Sequence, residues 1–405
     1  MSWIEIYIGL NFFVIAILIL LLFFNKTRLL ASALSASLIL FYLGAGVISK
    51  IYLPSNDYSI QKIQKFYKEN ISAVNLAPSS WLQKEDLRGS ENIIPLESRQ
   101  EIGGFFPLGS AAGIDLLYCK EDEGFITYKS DRYGFRNIDS IWDLTKHDIL
   151  LTGDSFAESA CVNIPIQDYF KEGLSIVSLG KGGNGPLISL GTMAEYLNKF
   201  DAQKIYHLIY SNDYSRKISN KSLIDIEREK EEIILMDYLH SNKLQGYFTS
   251  IDLTLLTNFT KKTSSKRAQQ IIESEEKNSF LFAELFSYKL FQLAMKSLYG
   301  ESIPTESKVR FARKELLINT YRKMNSNAIA KNTKISFVII PQKASCEDAG
   351  KKRDFINNIL TKANVEKIDL WDELCDAKLF SINGGHFNSK GYSELAKLIQ
   401  ADFLK

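Results

Sequence analysis

Short apolar runs alternate with longer segments of mixed polarity from His147 to the end of the sequence. The runs cover residues 148–152, 174–179, 205–210, 335–340 and 365–370. Runs that are apolar at nearly every position are typical of strands buried on both faces, and helical segments between them favour a parallel sheet. The pattern therefore predicts an α/β domain over residues 146–405, with its ligand site beyond the carboxyl ends of the strands.

Two uncharged runs at the start of the chain are longer. Residues 6–24 and 29–49 carry no charged side chain, and Lys26 and Arg28 lie in the polar loop between them. At a rise of about 1.5 Å per residue, each run is long enough to cross a bilayer core of about 30 Å. Residues 1–49 therefore predict a transmembrane helical hairpin with its basic loop in the cytoplasm and the large domain extracytoplasmic, which means periplasmic in a Gram-negative cell. A cleaved signal peptide is disfavoured because no basic residue precedes the first run.

Two further segments fall outside the strand pattern. Residues 50–145 predict a polar linker followed by an N-terminal extension of short strands and turns. Residues 216–332 interrupt the domain with a helical insertion, which includes a basic cluster at 261–267 and a phenylalanine-rich apolar stretch at 280–298. We interpret the insertion as helices that pack on the domain. The sharper hypothesis is a lid that shapes an acyl or glycan site.

Composition narrows the possible functions. The 405 residues carry a formal net charge of +2, which lacks the basic footprint of a nucleic-acid-binding protein. The four cysteines have no CxxC spacing, so neither a zinc site nor a thioredoxin-like motif is indicated. Cys346 and Cys375 are predicted to form a disulfide if the domain lies in an oxidising compartment, and the alternative is free or buried thiols.

Four polar segments lie at positions where a site at the sheet edge is expected: three follow predicted strands, and one precedes the last helix. Ser155 follows the first predicted strand, where an exposed hydroxyl can act as a nucleophile, although Asp and Ser also fit a helix N-cap there. Gly183 lies in a glycine-rich turn after the second strand, and Asn212 follows the third. Backbone N–H groups and amides at such places can bind an oxyanion. His386, in a glycine-rich loop before the last helix, can act as a general base. The other histidines are interpreted as structural: His147, His207 and His240.

In this order, the four segments resemble those of the SGNH (GDSL-type) hydrolase family over residues 146–405. The resemblance implies a flavodoxin-like three-layer α/β/α sandwich and no cofactor or metal. It implies that Ser155 is the nucleophile and His386 the base. It also implies an oxyanion hole made by the N–H groups of Ser155 and Gly183 and the side chain of Asn212.

The sequence departs from the family pattern at two positions. Tyr210 replaces a glycine that usually stands two residues before the asparagine, and Asn383 replaces an aspartate that usually stands three residues before the histidine. In a serine protease, the latter exchange costs roughly four orders of magnitude in rate. Either Asn383 or a backbone carbonyl orients His386, or Asp372 or Asp376 substitutes, or the site only binds. A further hypothesis is that Asn383 deamidates to aspartate.

The resemblance implies serine-dependent acyl transfer. The expected reaction is hydrolysis of an O-acylated envelope glycan, its lipid-linked precursor or a similar small ester, at the surface of a lipid bilayer. One alternative is an O-acyltransferase that modifies a cell-envelope polysaccharide and receives its acyl group from a membrane acyl-donor protein. The other is a catalytically degenerate protein that binds or assembles glycans.

Overall fold

The computed structural model describes residues 73–74, 101–105, 107–210, 246–278, 306–343, 346 and 350–405. The predicted hairpin at 1–49, Asn212 and the apolar stretch at 280–298 lie outside these residues. Within the described ranges, no helix combines the length and the apolar character needed to cross a membrane. The chain divides into two compact units, residues 1–61 with 270–306 and residues 62–269 with 307–405, and the site described below lies in the second unit.

After residue 176, α-helices separate the successive strands, as the hydrophobic pattern predicts. The strands are Ala73–Val74 (β1), Asp115–Glu121 (β2), Gly124–Lys129 (β3), Lys146–Thr152 (β4), Ile176–Ser178 (β5), Asp201–Ile209 (β6), Lys334–Ile339 (β7) and Lys367–Asp369 (β8). The α-helices are Pro186–Leu197 (α1), Tyr247–Ser250 (α2), Leu253–Asn278 (α3), Glu306–Ala330 (α4), Gly350–Ala363 (α5), Trp371–Leu374 (α6) and Ser389–Phe403 (α7). Short 3-10 helices span Asp139–Asp143, Ile166–Tyr169 and Ala377–Leu379.

Strands β4 to β8 form one parallel sheet in the order β5-β4-β6-β7-β8. Successive side chains of a strand point to opposite faces. In β4, Ile149 and Leu151 therefore pack in one core with residues of α7, whereas Leu150 packs in the other core with residues of α1, α4 and α5. Helices cover both faces, so the predicted α/β class with a parallel sheet is confirmed and the layers are α/β/α.

Helix α4 changes the interpretation of the insertion. Its residues Leu317, Ile318, Tyr321 and Met324 are buried in the core together with residues of β6 and β7. Their spacing is that of one helical face. Residues 306–330 therefore form the crossover helix between β6 and β7 and belong to the α/β fold itself.

The N-terminal extension forms a second, three-stranded sheet in the order β1-β2-β3. Strands β2 and β3 are antiparallel, and Glu121 is paired with Gly124 across a turn of two residues. The segment that follows is bound to the α/β domain: the guanidinium of Arg136 donates to the carbonyl oxygens of Ser159 and Val162, at 2.5 and 2.7 Å. The extension therefore packs against the loop that follows β4, where Ser155 lies.

Candidate active site

Ser155 lies at the carboxyl end of β4, the strand at which the order of strands in the sheet reverses. Strands β5 and β6 flank β4 on its two sides, so the chain order reverses there, and ligand sites of open α/β sheets lie at such points. Gly153 ends the strand with a φ of +143°, and a Cβ atom on it would lie 2.8 Å from the carbonyl oxygen of Leu208. Only glycine permits this turn, after which the N–H of Phe156 donates to Asp154 at 2.9 Å.

His386 reaches Ser155 from the loop before α7. Asn388 caps that helix by accepting from the N–H of Gly391 at 3.0 Å, and the N–H of Ser381 donates to the His386 carbonyl at 2.9 Å, which closes the loop. His386 Nε2 then lies 2.9 Å from Ser155 Oγ. The structure therefore brings together the nucleophile and the base that the sequence singles out.

Glu121 binds the other nitrogen of the imidazole. His386 Nδ1 lies 2.7 Å from Glu121 Oε1, and the side chains are 26% and 10% exposed, respectively. Burial acts to raise the pKa of Glu121, but hydrogen bonding and attraction to His386, with further bonds from Ser381 and Gly385, hold it below its usual value. Glu121 is therefore an ionised carboxylate that can fix the imidazole tautomer with its proton on Nδ1 and stabilise the imidazolium cation.

The glycine pair before His386 lets the loop close over this carboxylate. A Cβ atom on Gly384 would lie only 1.8 Å from Glu121 Cδ, so no larger residue fits without moving the acid. The N–H of Gly385 lies 3.3 Å from Glu121 Oε1 and donates to it. The loop before His386 therefore packs closely against the Glu121 carboxylate.

Asn383 has a different partner from the one expected. Its backbone N–H and its side-chain amide both donate to Asp122 Oδ1 at 3.0 Å, and the N–H of Ile382 donates to Asp122 Oδ2 at 2.6 Å. The side chain that orients the imidazole is Glu121, so the prediction that Asn383 or a backbone carbonyl takes this role is wrong. The physical reason is that a charged carboxylate from the β2–β3 hairpin already occupies the place behind the ring.

The two substitute aspartates considered from the sequence are also engaged elsewhere. Asp372 pairs with Arg353 at 2.8 Å, and Asp376 accepts from the N–H of Lys378 at 2.9 Å. Neither contact involves the imidazole.

Glu121 was missed because it precedes His386 by 265 residues and belongs to a different sheet. The sequence does carry a signal for the hairpin itself, since two apolar runs flank the turn Glu121-Asp122-Glu123-Gly124. Nothing local identifies the partner of each acid. All three reach the α/β domain: Glu121 binds His386, Asp122 binds the 382–383 backbone, and Glu123 Oε2 accepts from the N–H of Asn163 at 2.8 Å.

The glycine-rich turn after β5 passes close to Ser155. A Cβ atom on Gly182 would lie 3.6 Å from Ser155 Cβ, and Gly183 adopts a φ of +85°. The N–H of Gly182 donates to Glu158 at 2.6 Å. The predicted oxyanion donor Gly183 therefore follows the residue whose added Cβ atom would contact Ser155, whereas Asn212 lies outside the described residues.

Glu158 forms a buried polar cluster beneath this turn. Its carboxylate accepts from Tyr118 at 2.7 Å, from Tyr128 at 2.9 Å and from Lys181 at 2.8 Å, and both members of the Lys181–Glu158 ion pair are 1% exposed. Burial lowers the pKa of Lys181 although Glu158 opposes the shift, and burial beside Glu158 raises the pKa of both tyrosines. The cluster joins the nucleophile loop, the glycine turn and the β2–β3 hairpin.

Two disulfides pair all four cysteines. Cys346 is bonded to Cys375, one of the two alternatives left open by the sequence. The second bridge, Cys119–Cys161, joins β2 to the loop that follows Ser155, and no local pattern in the sequence predicts it. Cys161 Sγ lies 3.6 Å from His386 Nδ1.

Glu121, Cys161 and His386 offer ligand atoms within 4.8 Å of one another, a spacing that suits a metal ion. A cysteine binds zinc as its thiolate, whereas the Cys161 sulfur is engaged in a disulfide. The imidazole and carboxylate are hydrogen-bonded to each other. The donor set of the described residues therefore fits a catalytic triad better than a metal centre.

The two described histidines interpreted as structural are buried. His147 Nε2 lies 3.0 Å from the carbonyl oxygen of Ile141, and burial lowers the pKa of His207 to about 3. His240 lies outside the described residues.

A cavity of about 540 Å³ opens beside the hairpin, and its lining includes Tyr128, Arg136, Asn163 and Asp168. Ser155, His386 and Glu121 do not line it.

No model of a known protein family matches the chain. No curated protein sequence matches it. Among solved structures, the chain is similar to one described as "The structure of a putative platelet activating factor from Streptococcus pneumonia", with 15% identity, 65% of this chain and 92% of that chain covered, and a TM-score of 0.33. A likeness at that TM-score carries no argument about activity.

Proposed function

We propose that the protein is a serine esterase of the SGNH type, with Ser155, His386 and Glu121 as its catalytic triad. One observation carries the proposal: a continuous hydrogen-bonded line runs from Ser155 Oγ to His386 at 2.9 Å and from His386 to Glu121 at 2.7 Å. Acyl transfer through a serine requires a nucleophile, a base and an orienting acid that are hydrogen-bonded in this order.

In the proposed reaction, His386 Nε2 takes the proton of Ser155 while Oγ forms a bond with the ester carbonyl carbon. The imidazolium then gives that proton to the departing alcohol as the ester C–O bond breaks. Water attacks the acyl-enzyme with His386 again as the base, which releases the acid and restores the serine. Glu121 accepts the Nδ1–H bond throughout and remains ionised.

The developing oxyanion is proposed to bind backbone N–H groups at the end of β4 and in the glycine turn. Ser155 and Gly183 are the proposed donors because the glycine-rich turn runs close to Ser155: a Cβ atom added to Gly182 would lie 3.6 Å from the Ser155 Cβ atom. The side chain of Asn212 is proposed as a third donor on the family resemblance alone.

A non-catalytic binding role is the weaker proposal. It rested on the missing aspartate three residues before His386, and Glu121 occupies the place that such an acid would fill. The paired cysteines support an oxidising compartment. We therefore retain an O-acylated envelope glycan as the proposed substrate, with the domain outside the cytoplasm.

Replacing the nucleophile tests the proposal most directly. Ser155→Ala is expected to reduce hydrolysis of a chromogenic acetate ester by about 10⁶-fold, because the attacking atom is removed. Ser326→Ala, which changes an exposed serine on α4, serves as the matched control and is expected to keep full activity. Undiminished ester hydrolysis by the Ser155→Ala variant would contradict the proposal.

The acceptor of the acyl group decides between hydrolase and transferase. A hydrolase releases the acid in water alone, whereas an O-acyltransferase requires an added polysaccharide and leaves the acyl group on it. Mass spectrometry of an added glycan, with and without Ser155, separates the two.

A further inference from the structure

The acid of the proposed triad comes from outside the sheet that carries the nucleophile and the base. Glu121 lies in β2 of the small sheet, whereas Ser155 and His386 follow β4 and precede α7. The distance from Glu121 to His386 therefore depends on how the hairpin is held against the α/β domain, and no short loop fixes it.

The Cys119–Cys161 bridge ends on both sides of this pair. Cys119 lies two residues before Glu121 in β2. Cys161 lies six residues after Ser155, and its sulfur is 3.6 Å from the same imidazole nitrogen that Glu121 binds. One covalent link therefore connects the segment that carries the acid to the loop that carries the nucleophile, and it contacts the base.

The loop that carries Cys161 has an unusual backbone conformation. Ser159 and Cys161 both have a φ of +63°, a left-handed conformation that costs a residue with a side chain about 1 kcal/mol or more. Surrounding contacts must therefore hold this loop in place. The Cys119–Cys161 bond and the guanidinium of Arg136, which binds the Ser159 carbonyl, are two such contacts.

We propose, building on the proposed esterase function, that the Cys119–Cys161 disulfide is a positioning element that holds Glu121 in hydrogen-bonding geometry with His386. The catalytic groups remain Ser155, His386 and Glu121. The bridge acts through Glu121, by fixing the hairpin at a point two residues away, and the sulfur of Cys161 limits the positions open to the imidazole ring.

Other contacts keep the hairpin docked when the bridge opens. Tyr118 and Tyr128 donate to Glu158, and Glu123 binds Asn163. Loss of the bridge is therefore expected to shift the acid by a fraction of its contact distance and leave the fold intact. A misplacement of about 1 Å in a catalytic group can cost about 10²-fold in rate.

A double-mutant cycle isolates this effect. The four proteins are wild type, Glu121→Gln, Cys119→Ala/Cys161→Ala and the triple variant, all as full-length chains. We expect removal of the bridge to lower kcat by roughly 10- to 100-fold with KM little changed when Glu121 is present, and by less than about twofold in the Glu121→Gln background. Equal losses in both backgrounds, or no loss in either, would overturn the proposal.

The second disulfide provides a matched control. Cys346→Ala/Cys375→Ala removes a bridge that links the segment after β7 to the end of α6 and includes no residue of the β2–β3 hairpin or of the loop after Ser155, and this variant is expected to keep wild-type kcat. A dithiol such as dithiothreitol opens a bridge by exchange: the protein S–S bond breaks, both sulfurs become thiols, and the reagent loses two electrons and two protons as it closes its own disulfide. Dithiol treatment should lower kcat of the Cys346→Ala/Cys375→Ala variant and leave that of Cys119→Ala/Cys161→Ala unchanged. The opposite pattern would contradict the proposal.

A readout without substrate separates this proposal from the esterase proposal. With ¹⁵N-labelled histidine, of which the chain has four, the hydrogen-bonded Nδ1–H of His386 gives an NMR signal that depends on Glu121. We expect this signal in wild type and its loss in both Glu121→Gln and the bridge variant, with circular dichroism unchanged. If the signal behaves in this way but no ester is cleaved, the esterase proposal fails and the positioning role stands. An undisturbed signal in the bridge variant would overturn the positioning role.

Discussion

Two carboxylates connect the β2–β3 hairpin with the α/β domain, and their environments differ. Glu121 belongs to the hairpin and reaches His386, a partner that can gain and lose a proton, and it is 10% exposed. Glu158 belongs to the loop after Ser155 and accepts from Tyr118 and Tyr128 of the hairpin and from Lys181 of the glycine-rich turn, in an ion pair whose side chains are 1% exposed. The hairpin and the loop after Ser155 therefore each contribute one of the two carboxylates.

The difference shows that the partner of a carboxylate decides its role. A buried ion pair with every oxygen hydrogen-bonded is suited to hold structure, because removing either charge leaves the other unpaired. A carboxylate beside an imidazole that contacts a serine hydroxyl can instead stabilise the charge that forms during a reaction. We therefore expect variants at Glu121 to affect rate and variants at Glu158 to affect stability.

Glu121→Gln should give the largest effect. The amide cannot compensate the imidazolium charge and can favour the wrong tautomer, so kcat for ester hydrolysis should fall by about 10⁴-fold. Its free energy of unfolding should change by about 1 kcal/mol or less, since the pair is partly exposed. Steady-state kinetics and urea denaturation measure the two quantities, and a loss of stability without a loss of rate would reverse the assignment.

Asn383→Asp sharpens that result by restoring the acid at the position usual for the resembling family. We expect no recovery of kcat in the Glu121→Gln/Asn383→Asp variant, because the Asn383 side chain points to Asp122 at 3.0 Å, and a second carboxylate there would meet repulsion. Recovery to near wild-type kcat would show that the loop can turn its own acid onto the imidazole.

Glu158→Gln should act mainly on stability. Lys181 would keep a buried charge without its counterion, which typically costs about 3–5 kcal/mol. The free energy of unfolding from urea denaturation should fall by about that amount, whereas kcat of the protein that remains folded should fall less than in Glu121→Gln. Glu158→Gln/Lys181→Met removes both charges and should recover part of the stability; failure to do so would point away from the ion pair.

Asp122→Asn should have the smallest effect. Burial acts to raise the Asp122 pKa, but hydrogen bonds from Asn383, Ile382 and Ser381 hold it below the usual value. A lowered folded-state pKa means that the contribution to stability is complete above the unfolded pKa of about 4 and is lost as the pH falls through the folded value. Wild type should therefore exceed Asp122→Asn by about 0.5–1 kcal/mol at pH 7, with the difference vanishing at acid pH. A difference independent of pH would contradict an ionised Asp122.

Much of the fold could be predicted from local patterns. Each of the five apolar runs became a strand of the parallel sheet, because a strand buried on both faces has no polar positions to obscure it. The crossover helix α4 was harder to predict. The sequence assigned it to the insertion at 216–332, since long helices of mixed polarity look alike whether or not they cover a sheet.

The sequence by itself determined which residues lie at the edge of the sheet. Ser155 follows the apolar run that ends at Gly153, and His386 lies in the glycine-rich loop before the last helix. Tertiary structure alone decided that Glu121 serves His386 and that Cys119 pairs with Cys161. Those contacts join two sheets across 265 and 42 residues, and no local pattern records which distant side chain a hairpin will meet when the two sheets pack.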